Sequence, residues 1–243
     1  MILEICCDCI AGVRAAAEVG AARIELCSAL GEGGVTPSLG LMRQARLVPG
    51  LRMHVLIRPR GGDFVYDEAE VECMVGDVKA AVECGADGVV IGALLPDGSV
   101  DTVTCRRLVE AAGGCCDITF HRAFDLSRDP FEALEDIIRL GCTRVLTSGM
   151  AQSAEAGIPL LRQLHDHAAG RIVILPGGGV TPANAAVIMR QTGCRELHGS
   201  LREAVASVMS YRRDGVAMGT PGSDEYSRLV TSSRLVEETI QAM

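Results

Sequence analysis

Tryptophan is absent from this 243-residue chain, and only four phenylalanines and three tyrosines are present. With so few rings to stack on bases and a formal net charge of −8, nucleic acid is excluded as an expected partner. No basic cluster or basic amphipathic helix offers itself to an anionic membrane surface. No apolar run approaches the roughly 20 residues of a membrane span. The first ten residues, MILEICCDCI, carry no positive charge, so no secretory signal is read and a cytoplasmic location is expected. Also missing is any spaced pair of C-x-x-C motifs, the mark of a structural zinc site.

Cysteine itself is plentiful. The count is 11, odd, and scattered over apparent strands and helices. A disulfide scaffold does not fit that pattern, whereas a reducing compartment does. The one C-x-x-C, Cys6 to Cys9, lies where a strand passes into a helix and is a weak signal. With 48% hydrophobic residues the chain can bury a sizeable core. No composition shift marks a linker, so a single domain over 1–243 is expected, with a core at about 2–200 and an irregular C-terminal segment at 201–243.

Four segments resemble one another: EVGAARIEL, ECGADGVVI, RLGCTRVLT and QTGCRELHG. Each reads as a helix end, a glycine (Gly20, Gly85, Gly141, Gly193), a small residue and a strand. A glycine there suits the left-handed turn that closes a helix. Four further strands, ILEIC, MHVLI, DITFH and RIVIL, alternate with these, and each is followed by a helical stretch. Helices are expected at 9–19, 38–48, 67–84, 101–112, 130–140, 153–169 and 181–191. Pro130 and Pro182 stand at first helical positions behind Asp129 and Thr181. Residues 202–215 read as a broken eighth helix, followed by a terminal extension. Eight alternating β/α units in this length imply an α/β fold, a TIM-type (β/α)8 barrel of parallel strands. An open doubly wound sheet fits less well, because no G-x-G-x-x-G follows the first strand.

In such a barrel alternate strand residues face the lumen. If the apolar set (Leu3, Ile5, Ile24, Leu26, Met53, Val55, Ile57, Ile118, Phe120, Leu197) meets the helices, then Glu4, Cys6, Glu25, Cys27, His54, Arg58, Thr119, His121, Glu196 and His198 face inward. A barrel core is ordinarily filled by Val, Ile and Leu. Charges there must be paired or functional. The members nearest the C-terminal strand ends, Cys6, Cys27, Arg58, His121 and His198, are the site candidates. Glu4, His54 and Glu196 lie deeper and are expected in a paired ionic plug.

The loops after the strands carry catalysis in this fold. Arg58 and Arg60 in RPRGGDF suit an anion, because a guanidinium binds carboxylate or phosphate in a fork. FHRAFD adds Arg122 and Asp125, and His121 beside a carboxylate makes a proton-transfer pair. Glu25, on the lumen face, completes the candidate catalytic set of His121, Asp125 and Glu25. PGGGVTPAN places Gly177, Gly178 and Gly179 before a helix, an anion-binding arrangement, and HGS supplies His198 and Ser200. Cys6 and Cys27 end adjacent strands, so their thiolates could share a soft ion such as Cu(I). Glutamate and histidine from several strands could alternatively hold a divalent metal.

Together, LEIC, RIELCSALGEGGVTPS, IRPRGGDFVY, DGVVIGAL, TFHRAFD, RVLTSG, GRIVILPGGGVTPAN, ELHGS and VAMG resemble the CutC copper homeostasis protein family, from residue 2 to about 230. The resemblance implies a (β/α)8 barrel, a cytoplasmic homo-oligomer, and a role in copper tolerance with Cu(I) at Cys6 and Cys27. The sequence departs by extra cysteines, at Cys7, Cys9, Cys115 and Cys116. Three readings follow: a Cu(I)-handling protein, an enzyme acting on a small anionic or phosphorylated substrate, and a binding barrel without chemistry. The expectation is a CutC-like copper protein, with the enzyme as its alternative.

Overall fold

The computed structural model describes residues 1–213, 215, 216, 218 and 224–243. Eight strands form one parallel sheet: β1 (Ile2–Cys7), β2 (Arg23–Leu26), β3 (Arg52–Leu56), β4 (Gly88–Ile91), β5 (Asp117–Phe120), β6 (Arg144–Thr147), β7 (Val173–Pro176) and β8 (Glu196–Gly199). β1 to β7 pair successively in chain order, and β1 also pairs with β8. A parallel bridge between Gly177 and His198 draws β7 to β8, so the barrel is nearly closed. The expected (β/α)8 architecture is therefore present.

The intervening helices are α1 (Ile10–Glu18), α2 (Leu39–Arg46), α3 (Glu68–Glu83), α4 (Thr102–Ala111), α5 (Pro130–Arg139), α6 (Ile158–Ala168) and α7 (Ala185–Thr192). Asp129 caps α5 by accepting from the N–H groups of Phe131 and Glu132, with Pro130 at its first position, as expected. The four repeat glycines all adopt positive φ, between 75° and 82°. That conformation lets the chain leave a helix and enter a strand within two residues.

The apolar alternation closes the outer layer. Leu3, Ile5, Ile24, Leu26, Met53, Val55, Ile118 and Phe120 are buried against the helices in one continuous core. The lumen positions hold the polar set instead. Register places Cys6 level with Glu25, Glu25 level with His54, and Glu4 level with His198.

Three boundaries differ from expectation. α6 starts at Ile158 rather than 153, because Ser153 to Gly157 form a turn ahead of it. α7 starts at Ala185 rather than 181: Asn184 accepts the Thr181 N–H at 2.8 Å and donates to the Gly179 carbonyl at 2.9 Å. That local closure occupies the turn in which Pro182 lies, so Thr181 caps no helix. The C-terminal segment is more regular than expected. Where a broken helix was anticipated, β9 (Arg202–Ala206) pairs antiparallel with β10 (Ser227–Thr231). The eighth barrel helix, α8 (Ser233–Ala242), follows it and packs beside α1 and α7. The hairpin is thus an insertion between the last strand and the last helix. Residues 214, 217 and 219–223 of the anticipated segment lie outside the described residues. No helix among the described residues is long and apolar enough to cross a membrane.

Candidate functional site

The deep lumen is a closed ion network. Arg23 is 1% exposed; its Nε donates to Glu4 and its Nη2 lies 2.5 Å from Glu196. Arg144 reaches the same Glu196 at 3.1 Å and Asp117 at 2.8 Å. Burial alone would raise the Glu4 pKa. A hydrogen bond from His198 and the Arg23 charge outweigh that and hold the carboxyl well below its ordinary range. His54, fully buried beside this network, makes no hydrogen bond with either ring nitrogen. Burial and the nearby Arg23 and Arg144 charges push it down to about 4, so the ring is neutral. The expected ionic plug holds Glu4 and Glu196, with counter-ions, Arg23 and Arg144, that were not anticipated; His54 lies beside it neutral and unpaired, contrary to expectation.

Above the plug, a cavity of about 280 Å³ opens at the C-terminal strand ends. Its floor is Cys6, Glu25 and His198. The Cys6 thiol donates to Glu25 at 3.1 Å and lies 3.5 Å from the Cys27 sulfur. His198 holds Glu4 through Nδ1 at 2.8 Å, which leaves Nε2 3.9 Å from Glu25. Burial pushes the Glu25 carboxyl up, and the charge on His198 only partly opposes it. For His198, burial is outweighed by Glu25 and Glu4, and the net shift is upward. The Cys6 thiol is pushed well above its ordinary value by its contact with Cys27 and by burial. All three floor groups, the Cys6 thiol, the Glu25 carboxyl and the His198 imidazole, therefore hold a proton more tightly than usual.

His121 and Arg58 line the same cavity with Phe64 between them, each 4.9 Å from its ring. His121 is 4% exposed, and burial with the Arg58 charge lowers its pKa to about 3. Its Nδ1 accepts the Ala123 N–H at 3.1 Å, so the neutral ring carries its hydrogen on Nε2, which has no partner. β4 and the residue after it make room for both lumen histidines. A methyl on Gly88 would lie 2.7 Å from His54, and one on Gly92 2.5 Å from His121.

Arg58 is 6% exposed and is consumed by no acid. It donates to the backbone carbonyls of Glu32, Gly34 and Gly62 at 2.7 to 2.9 Å, and its Nε is unpartnered. The neighbouring Arg60 behaves differently from expectation. It turns away from the cavity to Glu70 and Asp63, because an i, i+2 spacing in a loop need not keep two side chains together. Asp125 does not pair with His121. Its carboxylate accepts from Thr147, the Ser148 N–H and hydroxyl, the Met150 N–H and Arg122, and so it splints two loops. Arg122, held by that carboxylate at 2.7 Å, does reach the cavity rim. Gly178, Gly179 and Ser200 line the cavity, and their N–H groups donate to no atom among the described residues. Gly177 does not line it. A methyl there would lie 2.5 Å from Leu146, so its role is packing. Because α7 begins after Asn184, the free N–H groups belong to the loop rather than to a helix end.

Among the lining residues that escaped sequence reasoning are Arg202 on β9 and Phe64. Arg202 was hidden because a helix was expected there. Phe64 gave no signal beyond standing in the arginine-bearing loop. Among the described residues, the one group of three or more candidate metal donors is Cys6, Glu25 and His198, whose ligand atoms all lie within 4.8 Å of one another. Cys27 adjoins it through Cys6 but is fully buried behind the lining. The donor chemistry fits a metal. Two sulfurs are adjacent, and a histidine has its far nitrogen fixed by a carboxylate, as metal-site histidines do. All 11 cysteines are free thiols.

The CutC family model matches residues 1–203. A "family protein CutC" from Chromobacterium violaceum is 49% identical over all of this chain and 98% of its own. The mouse "Copper homeostasis protein cutC homolog" is 47% identical over 95% of this chain and 85% of its own. The solved CutC structure from Streptococcus agalactiae superposes with a TM-score of 0.79 at 33% identity, covering 82% of this chain and 98% of that one.

Proposed function

The chain belongs to the CutC family, and from that premise we propose that it serves copper homeostasis by holding Cu(I) on Cys6 and Cys27 at the cavity floor. The observation that carries this is the pair of sulfurs 3.5 Å apart, Cys6 on the cavity floor beside Glu25 and His198 and Cys27 buried behind it. Thiolates are the soft ligands Cu(I) prefers. His198 Nε2, kept clear because Nδ1 is engaged by Glu4, is the natural third donor. Loading has to displace the thiol protons and any proton on His198 Nε2, so affinity rises with pH. The test is an anaerobic, chelator-competed Cu(I) titration of the chain and of its Cys6→Ser, Cys27→Ser form. Loss of the tightest site in the double variant is expected. An unchanged affinity would assign the metal to the other cysteines and remove the reading.

A second reading has its own observation: the 3.9 Å approach of Glu25 and His198, two groups that both hold protons more tightly than usual. Such a pair suits an enzyme that moves a proton on a small anionic substrate. The sole lysine, Lys79, lies exposed on α3, so Schiff-base chemistry in the cavity is not part of this reading. Solvent deuterium exchange into small organic phosphates and acids, followed by proton NMR, tests it. Exchange that disappears in Glu25→Gln supports the reading; no exchange into any compound removes it.

A further inference from the structure

We propose that the mouth of the cavity seats the phosphoryl group of a small phosphomonoester, on donors from Arg58, His121, Arg122, Gly178, Gly179 and Ser200. The proposal rests on the enzyme reading and is independent of copper. The first argument is charge. In a chain of net charge −8, three arginines (Arg58, Arg122, Arg202) line this one cavity, against a single carboxyl, Glu25. Arg122 is matched by Asp125, and Arg202 has only Asp8 at 4.0 Å. Among the described residues Arg58 has no carboxylate partner, although it is 94% buried. A buried guanidinium without a counter-ion is costly unless something anionic joins it.

The second argument is unmet hydrogen bonding. Arg58 Nε and His121 Nε2 are both buried donors without a partner. Since buried donors are normally satisfied, each asks what completes it. His121 answers as a donor and not as a base. Its Nδ1 is occupied by the Ala123 N–H, so only Nε2–H is left for a ligand. The loop N–H groups of Gly178, Gly179 and Ser200 add donors from the opposite wall. Donors thus arrive from the ends of β3, β5, β7 and β8. That convergence suits three tetrahedrally disposed oxygens better than the two coplanar oxygens of a carboxylate. In a cavity of about 280 Å³, a phosphoryl group at the mouth leaves room for only a few further heavy atoms to reach Glu25 and His198 on the floor.

The experiment is isothermal titration of the full chain with inorganic phosphate, glycerol 3-phosphate and succinate. Glycerol 3-phosphate is expected to bind tightest and succinate weakest. His121→Asn keeps an acceptor for the Ala123 N–H but withdraws the donor, and it should weaken phosphate binding by about tenfold. Arg122→Gln, at the half-exposed rim, should weaken it by a similar factor and reports alone if His121→Asn fails to fold. Arg60→Ala should change nothing. Glu25→Gln should keep phosphate binding while losing deuterium exchange, which separates the seat from the chemistry. Absence of binding by any of the three, binding unaltered in both variants (an adventitious ion only), or succinate binding as tightly as the phosphates would each overturn the proposal. Exchange without phosphate binding would overturn it while leaving the enzyme reading in place.

Discussion

The lower and upper halves of the lumen are built from the same strands and the same residue types, yet they are electrostatic opposites. Below, Glu4, Glu196, Arg23, Arg144 and Asp117 pair acid to base at hydrogen-bond distance, with Arg23 Nη1 the one guanidinium nitrogen of Arg23 left without a partner. Above, Arg58 is tied only to carbonyl oxygens, His121 keeps a free N–H, and the floor groups hold their protons. A charged lumen is therefore not by itself a site. The difference lies in whether the charges find opposite charges, and it is the upper half, where Arg58 lacks an acid and a cavity opens, that keeps capacity for a ligand.

The largest expected effect comes from breaking the lower half. Arg23→Met removes the charge shared by two buried carboxylates, leaving Glu196 to Arg144 and Glu4 to His198, and should cost about 3–5 kcal/mol in urea unfolding. A cost below about 1 kcal/mol would mean that the plug does not hold the barrel. Phosphate binding by the folded fraction should survive.

Two glycines sharpen the comparison next. Gly88→Ala pushes on His54 and Gly92→Ala pushes on His121, each with a cost of about 1–3 kcal/mol. Only Gly92→Ala should also weaken phosphate binding. Equal effects on binding would erase the distinction between the halves.

The pH dependence of stability carries the same contrast with smaller steps. His54 and His121 have folded values near 4 and 3, while the unfolded chain takes up protons near 6.5. Each therefore loses stability as pH falls from about 6.5 toward its folded value, by about 1.4 kcal/mol per pH unit. Glu25, raised by burial, works in the opposite direction above about 4.5. His198 is raised, so its contribution is full below about 6.5 and fades as pH climbs through its folded value. Urea unfolding from pH 4 to 8 should show His121→Asn losing less stability than the parent on acidification. His198→Gln should lack the parent's decline between 6.5 and 8. Parallel curves for parent and variants would contradict the assigned protonation states. The smallest effect belongs to Arg60→Ala, within about 0.5 kcal/mol on unfolding, since its partners are at the surface.

Much of this was legible in the sequence. Period-two alternation in RIELC, MHVLI and DITFH identified the lumen face, and the repeat glycines identified the barrel. The same parity could have found Arg23, two residues before Glu25, and Arg144, two before Leu146. Both were overlooked because a charge at the first residue of a strand ordinarily reads as solvated. The fate of Asp125 could not be read. Its partners, Thr147 and Ser148, arrive from the next β/α unit, and only the folded loops show that they outcompete His121. β9 reads as a helix from sequence because REAVASV has helix-forming residues, while the pairing that overrides them comes from residues 227–231.

The most direct measurement is the ring ¹H–¹⁵N spectrum of the histidines during titration with inorganic phosphate. His54 and His121 are both buried, neutral and short of hydrogen-bond partners, but one lies in the closed half and the other in the open half. The expected result is that His121 Nε2–H moves with added phosphate while His54 stays fixed. Movement of neither, or of both alike, would contradict the account.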